Sequence, residues 1–322
     1  MKIDLTDTTA SKINKALVKG RRAIGTPAIG MVLTLVIVTD EENAYDALKA
    51  AGDAAHEHPS RTLVVIKRAS RSPRDGTDSR LDAEVRLGAD AGTGETVVLR
   101  LYGDVVEHAQ SVVLPLLLPD APVVVWWPVN APLAPAKDPL GALAQRRITD
   151  LHASEEPVRE LTARADAYTP GDTDLAWTRI TPWRSVLTAA LDQAGAPVVS
   201  AAVTHRPGSP SGELLVRWLT GRLGVPVERT VGQGHEISAV RLRTARGDLS
   251  VHWPAGEAAR LSVLGQGTHR LALAVRPMAE LIAEELRRLD PDETYASTLR
   301  TGLVAPAVPV LLPPAHRPAE SR

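Results

Sequence analysis

The chain has 322 residues, enough for about two domains, and is 44% hydrophobic and 23% charged, which argues against global disorder. Thirty-seven basic residues face 38 acidic ones, a net charge of -1 that argues against a dedicated nucleic-acid binder and against bulk attraction to anionic membranes. Cys is 0, so a disulfide framework, a thiolate nucleophile, Cys-ligated zinc and an iron–sulfur cluster are all excluded within this chain.

Asp7–Ser11 offers N-cap residues before a helix over Lys12–Ala23, with Ile13, Ala16 and Leu17 on one face and Gly25-Thr26-Pro27 as its stop. Met31–Thr39 is a β-branched run read as a strand buried on both faces. Asp40–His58 reads as a helix capped by Asp40, and Thr62–Lys67 as a second buried strand, completing a β-α-β unit. Lys67–Arg74 is a basic loop; with His58-Pro59-Ser60-Arg61 it suits an acidic surface or a sugar phosphate. Leu81–Leu87 and Thr96–Tyr102 alternate as half-exposed strands do, Asp104–Leu118 reads as a helix, and Val123–Trp127 is a further buried strand.

Pro128–Pro139 has a Pro every three or four residues, so it is an extended strap. Leu140–Arg147, Glu155–Ala165 and Trp183–Ala194 read as helices. Beyond them come a strand at Pro197–His205, a helix at Gly212–Arg222, a strand at Val225–Arg229 and four evenly spaced β-like stretches between Glu236 and Val275, the pattern of an antiparallel meander. Met278–Leu289 and Pro291–Leu299 are helical, and Val304–Arg322 is a Pro-rich tail. The fold class expected is α/β: two layered α/β domains with mixed sheets, the second carrying the meander. The expected divisions are an N-terminal domain over 1–127, a strap with helices and a connecting loop over 128–182, a C-terminal domain over 183–302, and a flexible tail over 303–322.

Catalytic patterns are missing from the sequence. There is no phosphate loop of the G-x-x-x-x-G-K-[ST] type and no H-E-x-x-H helix, and the Gly pairs at 92–94 and 232–234 lack a third Gly. Gly208–Gly212 resembles a nucleophile elbow only superficially, because its centre is Pro210. No metal site, cofactor or catalytic residue is therefore assigned. The start of the chain lacks the apolar stretch of a signal peptide, and no run reaches the ~18–20 apolar residues of a membrane helix, so the expected location is the cytoplasm.

Two aromatic clusters stand out in a chain with no Phe. Trp126 and Trp127 are adjacent on one strand, so they face opposite ways and one needs a second cover. Asp172–Arg184 places Asp174, Trp177, Arg179, Trp183 and Arg184 within 13 residues, with Trp177 and Trp183 flanking Arg179 for cation–π stacking and Asp172 or Asp174 as its ion-pair partner. One reading makes this segment a self-satisfied latch between domains. The other makes Trp126, Trp127, Asp174, Trp177, Arg179, Trp183 and Arg184 a partner-binding surface, because Trp and Arg are enriched at interface hot spots. Arg61, Arg146 and Arg147, with Arg179, are candidate anion contacts.

The stretches VLTLVIVT (32–39), EHPSR (57–61), VVLRLYG (97–103), PDAPVVVWWP (119–128), DPLGALAQRRITD (138–150), GDTDLAWTRITPWR (171–184) and EELRRLDPDETY (284–295) resemble, in this order, the OpcA family of glucose-6-phosphate dehydrogenase assembly proteins. Arg-rich, Ala-rich composition fits its actinobacterial branch. The resemblance implies a non-enzymatic partner that promotes assembly or activation of glucose-6-phosphate dehydrogenase, the enzyme opening the oxidative pentose phosphate pathway. It carries over no catalytic residues. The alternative is a sugar-phosphate or nucleotide-binding sensor subunit, or an enzyme of the same pathway. Thiol redox control is associated with cyanobacterial members; a chain without cysteine is not itself a thiol sensor.

Overall fold

The structure is a computed structural model, and it describes residues 1–25, 30–68, 79–88, 94–263 and 267–301. Most of the basic loop, part of the turn after Leu87 and the C-terminal tail lie outside the described residues. Helix α1 (Ala10–Ile24) starts at Thr9, whose side chain accepts from Lys12 N, and ends at Gly25 in the left-handed region (φ 70°). Strand β1 is Lys2–Leu5. Strands β2 (Leu33–Thr39) and β3 (Ser60–Arg68) pair in parallel across helix α2 (Ala44–Ala54), as the β-branched runs predict. Strands β4 (Arg80–Leu87) and β5 (Glu95–Tyr102) follow, and β5 is almost wholly buried rather than half exposed.

The expected helix over 104–118 is broken: only α3 (Ala109–Val113) is α-helical, flanked by 3-10 turns, with Pro115 removing a backbone donor in the second. After β6 (Val123–Trp126), the expected helix at 140–147 is a 3-10 turn at Gly141–Leu143 leading into strand β7 (Arg146–Thr149). Helix α4 (Pro157–Ala167) precedes strand β8 (Asp172–Asp174), in a stretch expected to be a loop. Residues 128–182 thus add two strands to the first sheet. Its order is β1-β4-β5-β3-β2-β6-β7-β8. Six of these strands, β5-β3-β2-β6-β7-β8, run parallel. Taken in chain order they read 3-2-1-4-5-6, the doubly wound arrangement, with its switch point between β2 and β6.

Alternate residues of these strands feed two cores. Val36, Val65, Leu99, Val125 and Trp127 pack with Ile13 and Leu17 of α1 and with Leu140 of the strap. Leu35, Ile37, Val64, Trp126 and Ile148 pack with Ala47 and Ala51 of α2 and with Leu281, Ile282 and Leu286 of helix α8 (Met278–Arg287). The second cover that the Trp pair requires is therefore the strap.

Helices α5 (Leu175–Arg179) and α6 (Thr181–Ala194) lead to the second sheet. There β9 (Val198–His205) and β10 (Val227–Val231) are parallel across α7 (Pro210–Leu223). Strands β11 (Ile237–Thr244), β12 (Gly247–His252), β13 (Ala259–Val263) and β14 (Gly267–Leu271) form the expected antiparallel meander, giving the order β10-β9-β11-β12-β13-β14. Val203, Val240, Leu242 and Val251 face a third core with Leu214 and Leu215 of α7, Trp177, Trp183 and Leu299 of helix α9 (Glu293–Arg300). The other face presents Arg241, Arg243, Arg260 and Arg270, all exposed. Because α8 returns to cover the first sheet while α9 packs with α7, the two lobes interlock.

The strap seal is tight at Gly141, where a Cβ would lie 1.9 Å from Pro135 O and 3.1 Å from Trp127. Gly141→Ala should destabilise the fold by about 1–3 kcal/mol. Gly52, inside α2 with nothing within 4 Å of its Cβ position, is the control: Gly52→Ala should stabilise by about 0.5–1 kcal/mol. Urea denaturation of both variants checks the pair.

Candidate functional site

Of the four arginines expected to hold an anion, Arg61, Arg146 and Arg147 are buried and already hold carboxylates. Arg61 on β3 donates through Nε and Nη2 to Glu95 Oε2 (3.0 and 2.8 Å) and through Nη1 to Leu116 O (2.9 Å). Arg146 and Arg147 are successive β7 residues and point to opposite faces. Arg146 reaches Glu285 Oε2 on α8 (2.5 Å) and Asp290 O (2.9 Å). Arg147 pairs with Asp172 and also donates to Ala144 O (2.7 Å) and Pro170 O (2.6 Å). None of the three is available to a ligand, which corrects the anion-contact expectation for them.

The aromatic residues of the expected partner surface are likewise interior. Trp126 is 0% exposed, Trp127 and Trp177 are 2% and Trp183 is 4%. A chain without Phe uses its indoles as core volume. Trp177 Nε1 donates to Asp292 Oδ2 (2.8 Å), and the Arg184 guanidinium stacks 3.6 Å from the Trp177 ring centroid. Arg184, not Arg179, makes the cation–π contact. Burial pulls the Arg184 pKa below its usual range, against the pull of Asp292, Glu284 and Glu285. Arg179 is paired bidentately with Asp150 (2.8 and 2.8 Å), not with Asp172 or Asp174. The 172–184 segment is thus the latch of the first reading, tying α5 and α6 to α8 and α9.

Asp174 is the hub of the latch. It is fully buried at the end of β8. It accepts from Thr149 Oγ1 (2.6 Å), Ala176 N (2.9 Å) and Leu151 N (3.1 Å), with Arg164 Nη1 at 3.6 Å. Burial raises its pKa from 3.8 to about 6, while Arg164 opposes the shift.

An open cleft of about 310 Å³ lies beside this latch, where the lobes meet. The first lobe supplies His152 and Arg179, which follow β7 and β8. The second supplies Arg206, Glu236 and Trp253, and His235 stacks on Trp253 with centroids 3.9 Å apart. His152 Nε2 lies 2.8 Å from Ser211 Oγ, and Ser211 Oγ also donates to Ala176 O (3.0 Å). A carbonyl only accepts, so the single hydroxyl proton goes to it and Nε2–H of His152 donates to Ser211. A serine nucleophile needs the opposite polarity. Burial, then the Arg179 charge, holds the imidazole pKa below the usual histidine range. In the neutral ring Nδ1 is an acceptor, 4.0 Å from Glu236 Oε1. His152, Arg206, Glu236 and Trp253 carry no short-range sequence signal, since Ser211 lies 59 residues from His152.

The crevice at the β2/β6 switch point has a different lining. Asp40, directly after β2, accepts from Asn43 N (2.9 Å) and from Asn43 Nδ2 (2.8 Å). Glu41 pairs with Arg68 (3.0 Å) and Arg100 (3.2 Å). A carboxylate, Asp40, therefore stands where a dinucleotide fold places its Gly-rich phosphate cradle. Among the described residues, no group of three or more His, Asp or Glu is placed to hold a metal ion.

Asp174→Ala should cost about 2–3 kcal/mol, because it strands the Leu151 and Ala176 backbone donors and leaves buried Arg164 with Glu160 as its one carboxylate. Asp174→Asn isolates the titration. The folded chain takes up a proton at Asp174 near pH 6, whereas the unfolded chain does so near 3.8. This group therefore favours the folded state at acid pH and loses that contribution as pH rises through 6. Measured by denaturation, the Asn variant should gain on the parent from pH 3.8 to about 6 and hold a constant difference above. A flat difference across that window contradicts the shift.

Two family profiles match the chain. A family profile for the N-terminal domain of a glucose-6-phosphate dehydrogenase subunit matches residues 51–166. A second profile, for the C-terminal domain of a glucose-6-phosphate dehydrogenase subunit, matches residues 170–299. A comparison with curated proteins returns no match. Among solved structures, the chain has a distant likeness to KijD10, a 3-ketoreductase from Actinomadura kijaniata. Its TM-score is 0.48 at 13% identity, covering 84% of this chain and 94% of that one. An oxidoreductase from Sinorhizobium meliloti has a TM-score of 0.43 at 13% identity, covering 84% and 86%. On the two profiles, which together take in both lobes, the chain belongs to the OpcA family of glucose-6-phosphate dehydrogenase assembly proteins.

Proposed function

We propose that this chain is a non-catalytic protein that binds glucose-6-phosphate dehydrogenase in the cytoplasm and promotes its assembly and activity by direct protein contact. The observation that carries this reading is the match of both family profiles, over 51–166 and 170–299. The geometry supports it. The switch-point crevice carries Asp40, the serine beside His152 has the wrong polarity for attack, and the buried arginines are engaged by carboxylates. Among the described residues no helix is long and apolar enough to cross a membrane.

A non-catalytic activator must bind the active or assembled form of its enzyme better than the inactive form. A tenfold shift takes about 1.4 kcal/mol of differential binding. The contact belongs on exposed side chains, and the outer face of the second sheet offers the best set. No helix covers that face among the described residues. Arg241 and Arg243 share Asp248 at 3.9 and 3.8 Å, Arg260 pairs with Glu257 and Glu228 lies beside Arg241, so with Arg270 the face keeps only a small positive excess. Two copies of such a face repel each other, and an acidic partner surface fits it.

Two measurements test the reading. Added to the cognate dehydrogenase, the chain should co-purify with it and raise its activity, while the chain alone turns over no sugar phosphate. Turnover by the isolated chain, or failure to associate, contradicts the proposal. The double variant Arg241→Glu/Arg243→Glu should weaken association at least tenfold and flatten its salt dependence without lowering stability. Unchanged affinity removes this face from the contact.

A further inference from the structure

Ligands of open α/β sheets sit outside the carboxyl ends of the strands. At the β2/β6 switch point the loop after β2 places Asp40 there, while Glu41 turns toward Arg68 of β3 and Arg100 of β5. Past the carboxyl ends of β7 and β8 the chain is open, and the cleft of about 310 Å³ lies there. That volume is at the small end of ligand sites, suited to a single ring and too small for a dinucleotide.

The polar groups around the cleft divide into two kinds. Arg179 is balanced by Asp150, and Arg276 by Glu284 (2.5 Å). Arg206 is exposed, and among the described residues its guanidinium makes no ion pair or hydrogen bond. It is the cation of this cleft whose charge is left for an anion. The neutral His152 ring presents Nδ1 as an acceptor, its tautomer fixed by Ser211, and the Glu236 carboxylate stands 4.0 Å away. Two acceptors side by side match hydroxyl donors. The remaining wall is apolar, built by Ile180, Trp183, Ile237, Trp253 and Leu273. With His235 stacked on one face of Trp253, this apolar wall takes the C–H side of a ring by its edges and aliphatic side chains.

The geometry points to a binding site for a small hydroxylated anion, a polyol phosphate or polyol carboxylate of monosaccharide size. Its anionic end lies on Arg206, its hydroxyls on His152 Nδ1 and Glu236, and its carbon face on the Trp253 wall. Ser211, whose hydroxyl donates to Ala176 O, is not poised there as a nucleophile. Both lobes line the cleft, so an occupant bridges the first sheet to the second, whose outer face meets the partner. That last link rests on the reading given under Proposed function; the binding itself does not.

Titration calorimetry on the full chain alone tests the site, with separate injections of glucose 6-phosphate, gluconate, inorganic phosphate, sorbitol and NADP⁺. One of the two hydroxylated anions should bind one-to-one with sub-millimolar affinity. Phosphate and sorbitol should be at least tenfold weaker, and NADP⁺ should give no heat. Arg206→Gln, a surface change, should lose at least tenfold in affinity at unchanged melting temperature, whereas Lys12→Gln on α1 should lose none. No heat from either hydroxylated anion overturns the proposal, as does phosphate binding as tightly as both or an Arg206→Gln variant that binds normally. Association with the dehydrogenase is measured on the same preparations. A chain that binds the anion but not the enzyme keeps this site and contradicts the assembly role. A chain that binds the enzyme but no anion does the reverse.

Discussion

Guanidinium–carboxylate pairs at the β7–β8 end of the first sheet, two of them buried, hold that end of the structure together. Arg146 joins β7 to Glu285 of α8, Arg147 joins β7 to Asp172 of β8, and Arg179 joins α5 to Asp150. Each ion left water at a cost of several kcal/mol, and the attraction of its partner offsets that cost only when the other donors also find acceptors. Arg147 meets that condition, with two carbonyls besides Asp172, whereas Arg146 has Asp290 O but leaves its buried Nε without a partner. Such pairs add little net stability over an apolar core, but removing one member leaves a charge stranded. They therefore hold β7, β8, α5 and α8 in one fixed arrangement, and with it the first-lobe side of the cleft that carries His152 and Arg179.

Where burial follows local periodicity, the fold was legible in the sequence. The run over 31–39 and TLVVIK read as buried strands because both of their faces are apolar, and α1 read as a helix because Ile13 and Leu17 repeat at helical spacing. The meander showed itself through even spacing. β7 and β8 did not. They are four and three residues long; RRIT begins inside the stretch that reads as a helix, and DTD lies in one that reads as a loop. Their charges are satisfied by residues up to 139 positions away, which no local window contains. The Ala- and Leu-rich approach to β7 carries helix propensity that tertiary pairing overrides.

The candidate site shows the same limit more sharply. The rule that adjacent strand residues face opposite sides correctly demanded two covers for Trp126 and Trp127. The density of Trp and Arg over 172–184 looked equally like a hot spot and like a latch, and burial alone separates the two. Arg206, Glu236 and Trp253 became a group only once α7 and the second sheet were folded against the first. What emerges is a doubly wound fold whose phosphate position carries an acid, joined to a sheet with one Arg-rich open face.

The structure of the chain bound to its dehydrogenase tests the central claim most directly. The account predicts that the outer face of β11, β12 and β13 lies against an acidic surface of the enzyme, with Trp126, Trp127, Trp177 and Trp183 still inside and the Arg146–Glu285 pair intact. A complex in which that face stays in solvent, or in which those indoles turn outward to meet the enzyme, contradicts it.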